Sequence, residues 1–157
     1  MSTIRLREVE ETVFMANLLL VDDNPDASRP LAMLLRFFKH SVDYVTSGSE
    51  ALAYLGQKLP DLVVLDVMMP GMDGMEVLRR IRSDARTNPV PVIMFSAVCD
   101  PAYQQAALKK GADDYVVKGT EFEELRRRVE QWATSRHIDL SGGTDRSTTK
   151  HGPPHYH

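Results

Sequence analysis

The sequence predicts an α/β fold in which helices cover both faces of a mostly parallel sheet. Two observations carry that expectation. Between residues 17 and 138 short apolar runs alternate with amphipathic stretches, the order of a chain that winds strand, helix, strand. Most of the runs are apolar at every position, as strands must be when both faces of a sheet are covered. No internal repeat interrupts the alternation, so five strands and five helices make one doubly wound sheet.

Leu18 to Val21 is the first strand, and Asn24 with Pro25 supplies an N-cap and a first helical residue directly after it, with Asp26 a competing cap. Leu31, Leu34, Leu35 and Phe38 then recur at i, i+3, i+4 and i+7, which predicts a helix packing that stripe on the sheet. Ser41 to Val45 is more mixed. Asp43 between Val42 and Tyr44 gives the alternation of an edge strand with one wetter face. Ala51, Leu52 and Leu55 mark the second helix, and Leu62 to Leu65 the third, wholly apolar strand. Val77, Leu78 and Ile81 mark the third helix, Val92 to Phe95 the fourth strand, and Ala102, Ala106 and Ala107 a small-sided fourth helix before Gly111. Tyr115 to Val117 reads as a fifth strand apolar on both faces, and Phe122, Leu125, Val129 and Trp132 as the fifth helix.

The expected boundaries are an N-terminal extension at 1–16, the folded unit at 17–138 and a flexible tail at 139–157. The tail is rich in Gly, Ser, Thr and Pro and lacks apolar periodicity. A chain of 157 residues, 43% hydrophobic and 26% charged, is ample for one globular core. Nineteen basic against twenty-two acidic residues leave a formal charge of −3, so there is no bulk basic field for nucleic acid or anionic membrane. No apolar run approaches the roughly 18 residues of a membrane span. Arg5 and Arg7 followed by Glu8, Glu10 and Glu11 do not form a secretory signal, and the one cysteine, Cys99, permits no intrachain disulfide. A cytoplasmic location is expected.

In an open parallel sheet ligands bind outside the strand C-termini. Here the first strand ends in Asp22 and Asp23, the third in Asp66, the fourth in Ser96 and the fifth in Lys118. Three carboxylates gathered at one tip repel one another unless a cation intervenes. Oxygen donors without His or Cys favour a hard ion such as Mg2+, which keeps waters and accepts phosphate oxygens. A carboxylate can itself accept a phosphoryl group. Asp66, ending the central strand, is the best-placed nucleophile, while Asp22 and Asp23 suit metal binding.

Four strings, in order and each at an expected strand end, carry a resemblance. They are Leu-Leu-Leu-Val-Asp-Asp-Asn at 18–24, Asp-Leu-Val-Val-Leu-Asp-Val-Met-Met-Pro-Gly-Met-Asp-Gly at 61–74, Pro-Val-Ile-Met-Phe-Ser-Ala at 91–97 and Gly-Ala-Asp-Asp-Tyr-Val-Val-Lys at 111–118. Over residues 17 to 138 the chain resembles the receiver domain of two-component response regulators, in particular stand-alone, chemotaxis-regulator-like receivers. The resemblance implies a flavodoxin-like five-stranded parallel sheet in the order 2-1-3-4-5 with five helices. It implies Asp66 as the residue phosphorylated from a sensor histidine kinase or phosphotransfer protein. Asp23 would bind Mg2+ directly, Asp22 largely through water, with Asp66 and the Met68 carbonyl as further ligands. Ser96 and Lys118, with the amides of Met68 and Ala97, would contact phosphoryl oxygens, and Tyr115 would be the switch aromatic. The protein would catalyse only its own phosphorylation and dephosphorylation, and would switch a protein-binding surface read by a downstream protein, with neither nucleic acid nor membrane as partner and with a homodimer as an option. One departure stands out: the family usually has proline after the lysine, and here it is Gly119.

Competing readings remain at this stage. A flavin-binding electron carrier shares the fold class, but Asp-Asp-Asn-Pro-Asp after the first strand would repel a bare phosphate. A Mg2+-dependent phosphatase needs a general acid soon after its nucleophile, and Val67 and Met68 cannot serve. A receiver that docks without phosphorylation is the last. Elsewhere bland readings prevail. Arg126, Arg127 and Arg128 alternate with Glu123, Glu124 and Glu130 as a solvated, salt-bridged helix face. Met68, Met69, Met72 and Met75 are loop and core packing. His40 and His137 are expected near helix ends as favourable cations. Lys109, Lys110, Asp113, Asp114, Arg127 and Arg128 either support dimerisation or are solvated.

Overall fold

The computed structural model of the protein describes residues 15–141, with side chains as far as Thr134. The chain runs β1 (Asn17–Val21), α1 (Pro25–Phe37), β2 (Ser41–Val45), α2 (Gly48–Gln57), β3 (Leu62–Leu65), α3 (Gly74–Ser83), β4 (Val92–Ser96), α4 (Pro101–Lys109), β5 (Asp114–Val117) and α5 (Phe122–Ser141). The five strands pair in parallel in the order β2-β1-β3-β4-β5. This is the flavodoxin-like order expected.

Alternate strand residues divide the core in two, because successive side chains point to opposite faces. Leu19, Val21, Val63, Leu65, Val92 and Met94 face Ala51 and Leu55 of α2, Val77, Leu78 and Ile81 of α3, and Ala107 of α4. Leu18, Leu20, Leu62, Val64, Ile93 and Val116 face Ala32 and Leu35 of α1 and Leu125, Val129 and Ala133 of α5. β1, β3 and β4 are therefore sealed on both sides, which holds the tips of these strands on a rigid frame.

Helix starts follow local chemistry. Asn24 caps α1 by accepting the Asp26 amide, Ser47 caps α2, Asp73 caps α3 and Asp100 caps α4. Asn24 is the cap, and Asp26 is not.

Several expectations need correction. The face α1 buries is Ser28, Ala32 and Leu35; Leu34 is 43% exposed, and Phe38 stacks on Phe122 beyond the helix end. Small side chains at Ser28 and Ala32 let the helix lie close to the sheet, which rotates the stripe from the one the large residues mark. β5 is an edge strand, so Asp114 and Val116 are buried while Tyr115 and Val117 stay partly exposed. Of the three α4 alanines only Ala107 is fully buried. α5 continues to Ser141, three residues into the expected tail. His40 is not a helix-end cation. It is 4% exposed, and its Nδ1 accepts the Ala16 amide at 3.3 Å. Arg128 is no solvated residue either, since it donates twice to Asp114, at 2.7 and 2.8 Å, and clasps α5 to β5. Residues 1–14 of the expected extension at 1–16, the segment 142–157 and the side chain of His137 lie outside the described residues.

Candidate functional site

Parallel pairing of β1 with β3 and of β3 with β4 brings the C-terminal ends of these strands to one edge of the sheet. Asp22 follows β1 with its amide donating to Val45 across the strand pair, and Asp66 follows β3 with its amide donating to Val21. Both carboxylates are thus placed by the last rungs of the ladder. Asp22 is 3% exposed and Asp66 6%, while Asp23 lies in solvent. A carboxylate oxygen from each of the three lies within 4.8 Å of the others.

Lys118 enters from the end of β5. Its amide donates to the Ser96 carbonyl, and its Nζ lies 2.6 Å from Asp22 Oδ2 and 3.1 Å from Asp66 Oδ2, over the ring of Phe95. The Lys118–Gly119 peptide is trans, and Gly119 has a φ of +95°. The remaining Asp22 oxygen accepts the Asn24 amide, and Asp66 Oδ1 accepts the Met68 amide at 3.3 Å.

These surroundings set the protonation of the pair. Burial pushes the Asp66 carboxyl up, Lys118 pulls it back by charge and hydrogen bond, and Asp22 pushes it up again, for a net rise. Burial draws the Lys118 ammonium down, and its bonds to Asp22 and Asp66 more than reverse that, so it stays charged. With all three carboxylates ionised, one lysine leaves two negative charges uncompensated. A divalent ion supplies that amount, and the donors present are all oxygens. The residues fit a hard cation such as Mg2+.

The other residues singled out by sequence take second positions. Ser96 is fully buried, with its hydroxyl accepting the Val98 amide, and Ala97 follows it at the surface. The Tyr115 hydroxyl donates to the Val98 carbonyl at 2.7 Å, tying β5 to the β4–α4 loop. Met68 is 65% exposed at the mouth. Sequence reasoning missed a groove of about 300 Å3 beside the site, where Leu31, Leu34, Phe95 and Phe122 continue from Asp22 and Lys118. The signal was Leu34 itself, an apolar residue that the core does not use.

Comparison with known proteins finds the same fold. The family model described as response regulator receiver domain matches residues 18–130. Transcriptional regulatory protein AfsQ1 of Streptomyces coelicolor is 42% identical over 115 residues, which cover 73% of this chain and 50% of AfsQ1. Among solved structures, the receiver domain of Francisella response regulator 1452 superposes with a TM-score of 0.73 at 27% identity, covering 77% of this chain and 98% of that one. The receiver domain of sensor histidine kinase PA1611 from Pseudomonas aeruginosa, solved with a magnesium ion coordinated in its active site cleft, gives 0.71 at 27% identity, covering 77% and 99%. The chain spans about half the length of the first curated relatives it matches.

Proposed function

This chain belongs to the response regulator receiver domain family, and on that premise we propose that it is the phosphoacceptor of a two-component phosphorelay, taking a phosphoryl group on Asp66 from a phosphohistidine. The donor is a sensor histidine kinase or a phosphotransfer protein. The reading rests on one observation: a nearly buried Asp66 carboxylate with Lys118 at 3.1 Å and the oxygens of Asp22 and Asp23 within 4.8 Å.

An Asp66 oxygen attacks phosphorus as the bond from phosphorus to the imidazole nitrogen breaks and its electron pair leaves with the imidazole. The Lys118 ammonium, already beside that carboxylate, meets the oxygens of the transferred group. The Ser96 hydroxyl and the amides of Met68 and Ala97 meet the others. Asp23 would hold Mg2+ directly and Asp22 through water, with Asp66 and the Met68 carbonyl completing the set; the ion, when bound, offsets charge on the phosphoryl oxygens. Drawing Ser96 toward phosphate releases the Val98 amide, and Tyr115, anchored on the Val98 carbonyl, turns inward. The added charge thereby biases the surface of α4, β5 and α5, which a downstream protein reads. Beyond its own phosphorylation and dephosphorylation the protein turns over no substrate.

No helix among the described residues is long and apolar enough to cross a membrane, and the proposed place of action is the cytoplasm. A DNA contact is not carried over from the longer transcriptional regulators.

The test is incubation with Mg2+ and acetyl phosphate, followed by intact mass. A labile added phosphate on the wild type and none on Asp66→Asn is the expected result. Absence of phosphate on both, with the protein folded, overturns the reading.

A further inference from the structure

Gly74 opens α3, and its backbone lies against the backbone of the proposed phosphoacceptor. Its amide donates to the Val67 carbonyl at 2.8 Å, closing the loop that follows Asp66. A Cβ at this position would sit 2.8 Å from Val67 Cα and 2.9 Å from the Asp66 carbonyl carbon, and would overlap the Asp66 carbonyl oxygen. The obstacles are backbone atoms, so no rotamer change relieves them. The glycine is not required by its own φ, which lies outside the left-handed region, but by the closeness of β3.

We propose that Gly74 is a positioning residue for phosphoryl acceptance: its lack of a side chain lets α3 dock on the Asp66 backbone and keeps the Met68 amide and carbonyl at the carboxylate. The inference rests on Asp66 being the acceptor. Three fixtures say where the displacement goes when a methyl is added. The Asp66 amide is held by Val21 in the centre of the sheet. α3 is held by the buried Val77, Leu78 and Ile81 and by its Asp73 cap. Between those anchors the shift falls on Val67 and the turn to Met72, and Met68, the exposed residue between the buried Val67 and Met69, donates to Asp66 Oδ1 through a bond already 3.3 Å long. A shift of an ångström parts the amide from the carboxylate and carries off the carbonyl expected to ligate the metal.

The test uses Gly74→Ala alone and combined with Gly56→Ala. Position 56 lies in α2, where an added methyl meets nothing and favours the helix, so the pair offsets lost stability away from the site. Mg2+ affinity, read by fluorescence or calorimetry without any phosphodonor, should weaken at least tenfold. Labelling by acetyl phosphate at saturating Mg2+ should slow roughly 10- to 100-fold, the scale of an ångström of misplacement. Leu35→Ala, which removes a buried α1 side chain on the face of the sheet opposite α3, separates positioning from stability. It should lower the melting midpoint while leaving Mg2+ affinity within about twofold, as a destabilised but undistorted site requires. Wild-type Mg2+ affinity and labelling in the folded alanine variant overturn the inference, and so does a double variant that does not fold. A wild type that never takes phosphate points instead to failure of the acceptor reading.

Discussion

Lys118 Nζ lies 2.6 Å from Asp22 Oδ2, closer than its 3.1 Å to Asp66. The lysine is therefore the shared cation of the two buried carboxylates and not a partner reserved for Asp66. Asp22 in turn is held on both oxygens, by the ammonium on Oδ2 and by the Asn24 amide on Oδ1.

Replacing Lys118 with Met leaves two buried carboxylates facing each other without a counter-charge. The lysine is 24% exposed at its side chain, so screening trims the usual penalty for breaking a buried pair to about 1–3 kcal/mol. Thermal melts in chelator should show that loss, and Mg2+ should restore most of it. Acetyl phosphate labelling should fall roughly 100- to 1000-fold, as when a charge-stabilising donor is removed from a site. An unchanged melt in chelator would contradict the account.

Gly119 stands in open space at φ +95°, so the cost of a side chain there is backbone strain alone. Gly119→Ala should lower stability by about 1 kcal/mol in urea titrations. Gly119→Pro should cost more, because the ring fixes φ near −65°. It should also slow labelling, since Lys118 leaves the sheet at this turn, with Thr120 donating back to Val117. Equal stability of wild type and both variants would show that the turn is not held as described.

The strands and the site were legible for one reason: at β1, β3 and β4 the apolar run and the chemical residue are adjacent in sequence. Leu62 to Leu65 has no polar face to hide, and Asp66 follows at once. What could not be read depends on contacts between distant segments. Ser28 and Ala32 decide how α1 turns only because the sheet beneath allows close approach. Arg128 looks like its neighbour Arg127, yet one meets the buried Asp114 of β5 and the other, among the described residues, pairs with Glu124 on its own helix. That β5 is an edge follows from strand order, which its own four residues do not encode. Gly74 sits in a recognisable string, but its need arises from how near α3 comes to β3.

Arg128→Ala strands Asp114, which is 9% exposed and retains the Trp132 indole and the Tyr115 amide as donors. With Arg128 itself one-third exposed, the expected loss is about 2 kcal/mol, below the range for fully buried pairs. Urea unfolding measures it. Arg127→Ala, removing an exposed i,i+3 pair with Glu124, should change stability by less than about 0.5 kcal/mol. Similar losses in the two variants would refute the distinction.

His40 links stability to pH. Burial lowers its pKa below 6.5, with Glu130 raising it and Arg126 lowering it by charge, and its Nδ1 is occupied as an acceptor. The unfolded chain then binds more protons than the folded one between the lowered pKa and 6.5, so stability rises with pH in that window. Stability should fall as pH drops from 7 toward 5.5. In His40→Asn, whose Oδ1 can still accept the Ala16 amide, that part of the slope should vanish. Parallel stability curves for the two proteins would rule the histidine out as its source.

Met68 stands two residues past the proposed acceptor, 65% exposed, while its own amide holds Asp66 Oδ1. A thioether at the mouth neither orients water nor accepts a proton usefully, so it is expected to shield an acyl phosphate formed on Asp66 from hydrolysis. An amide side chain at the same place can hydrogen-bond a water and direct it at phosphorus, which lowers the barrier by placement alone. Met68→Asn should therefore lose phosphate faster than wild type, by roughly tenfold, the effect of about 1.4 kcal/mol on a barrier. The decay is followed by intact mass after the phosphodonor is removed, with Mg2+ held constant. Met68→Leu, equally apolar, should decay at the wild-type rate, which separates shielding from mere disturbance of the loop. If the asparagine variant keeps its phosphate as long as the wild type does, then water access past residue 68 does not limit hydrolysis.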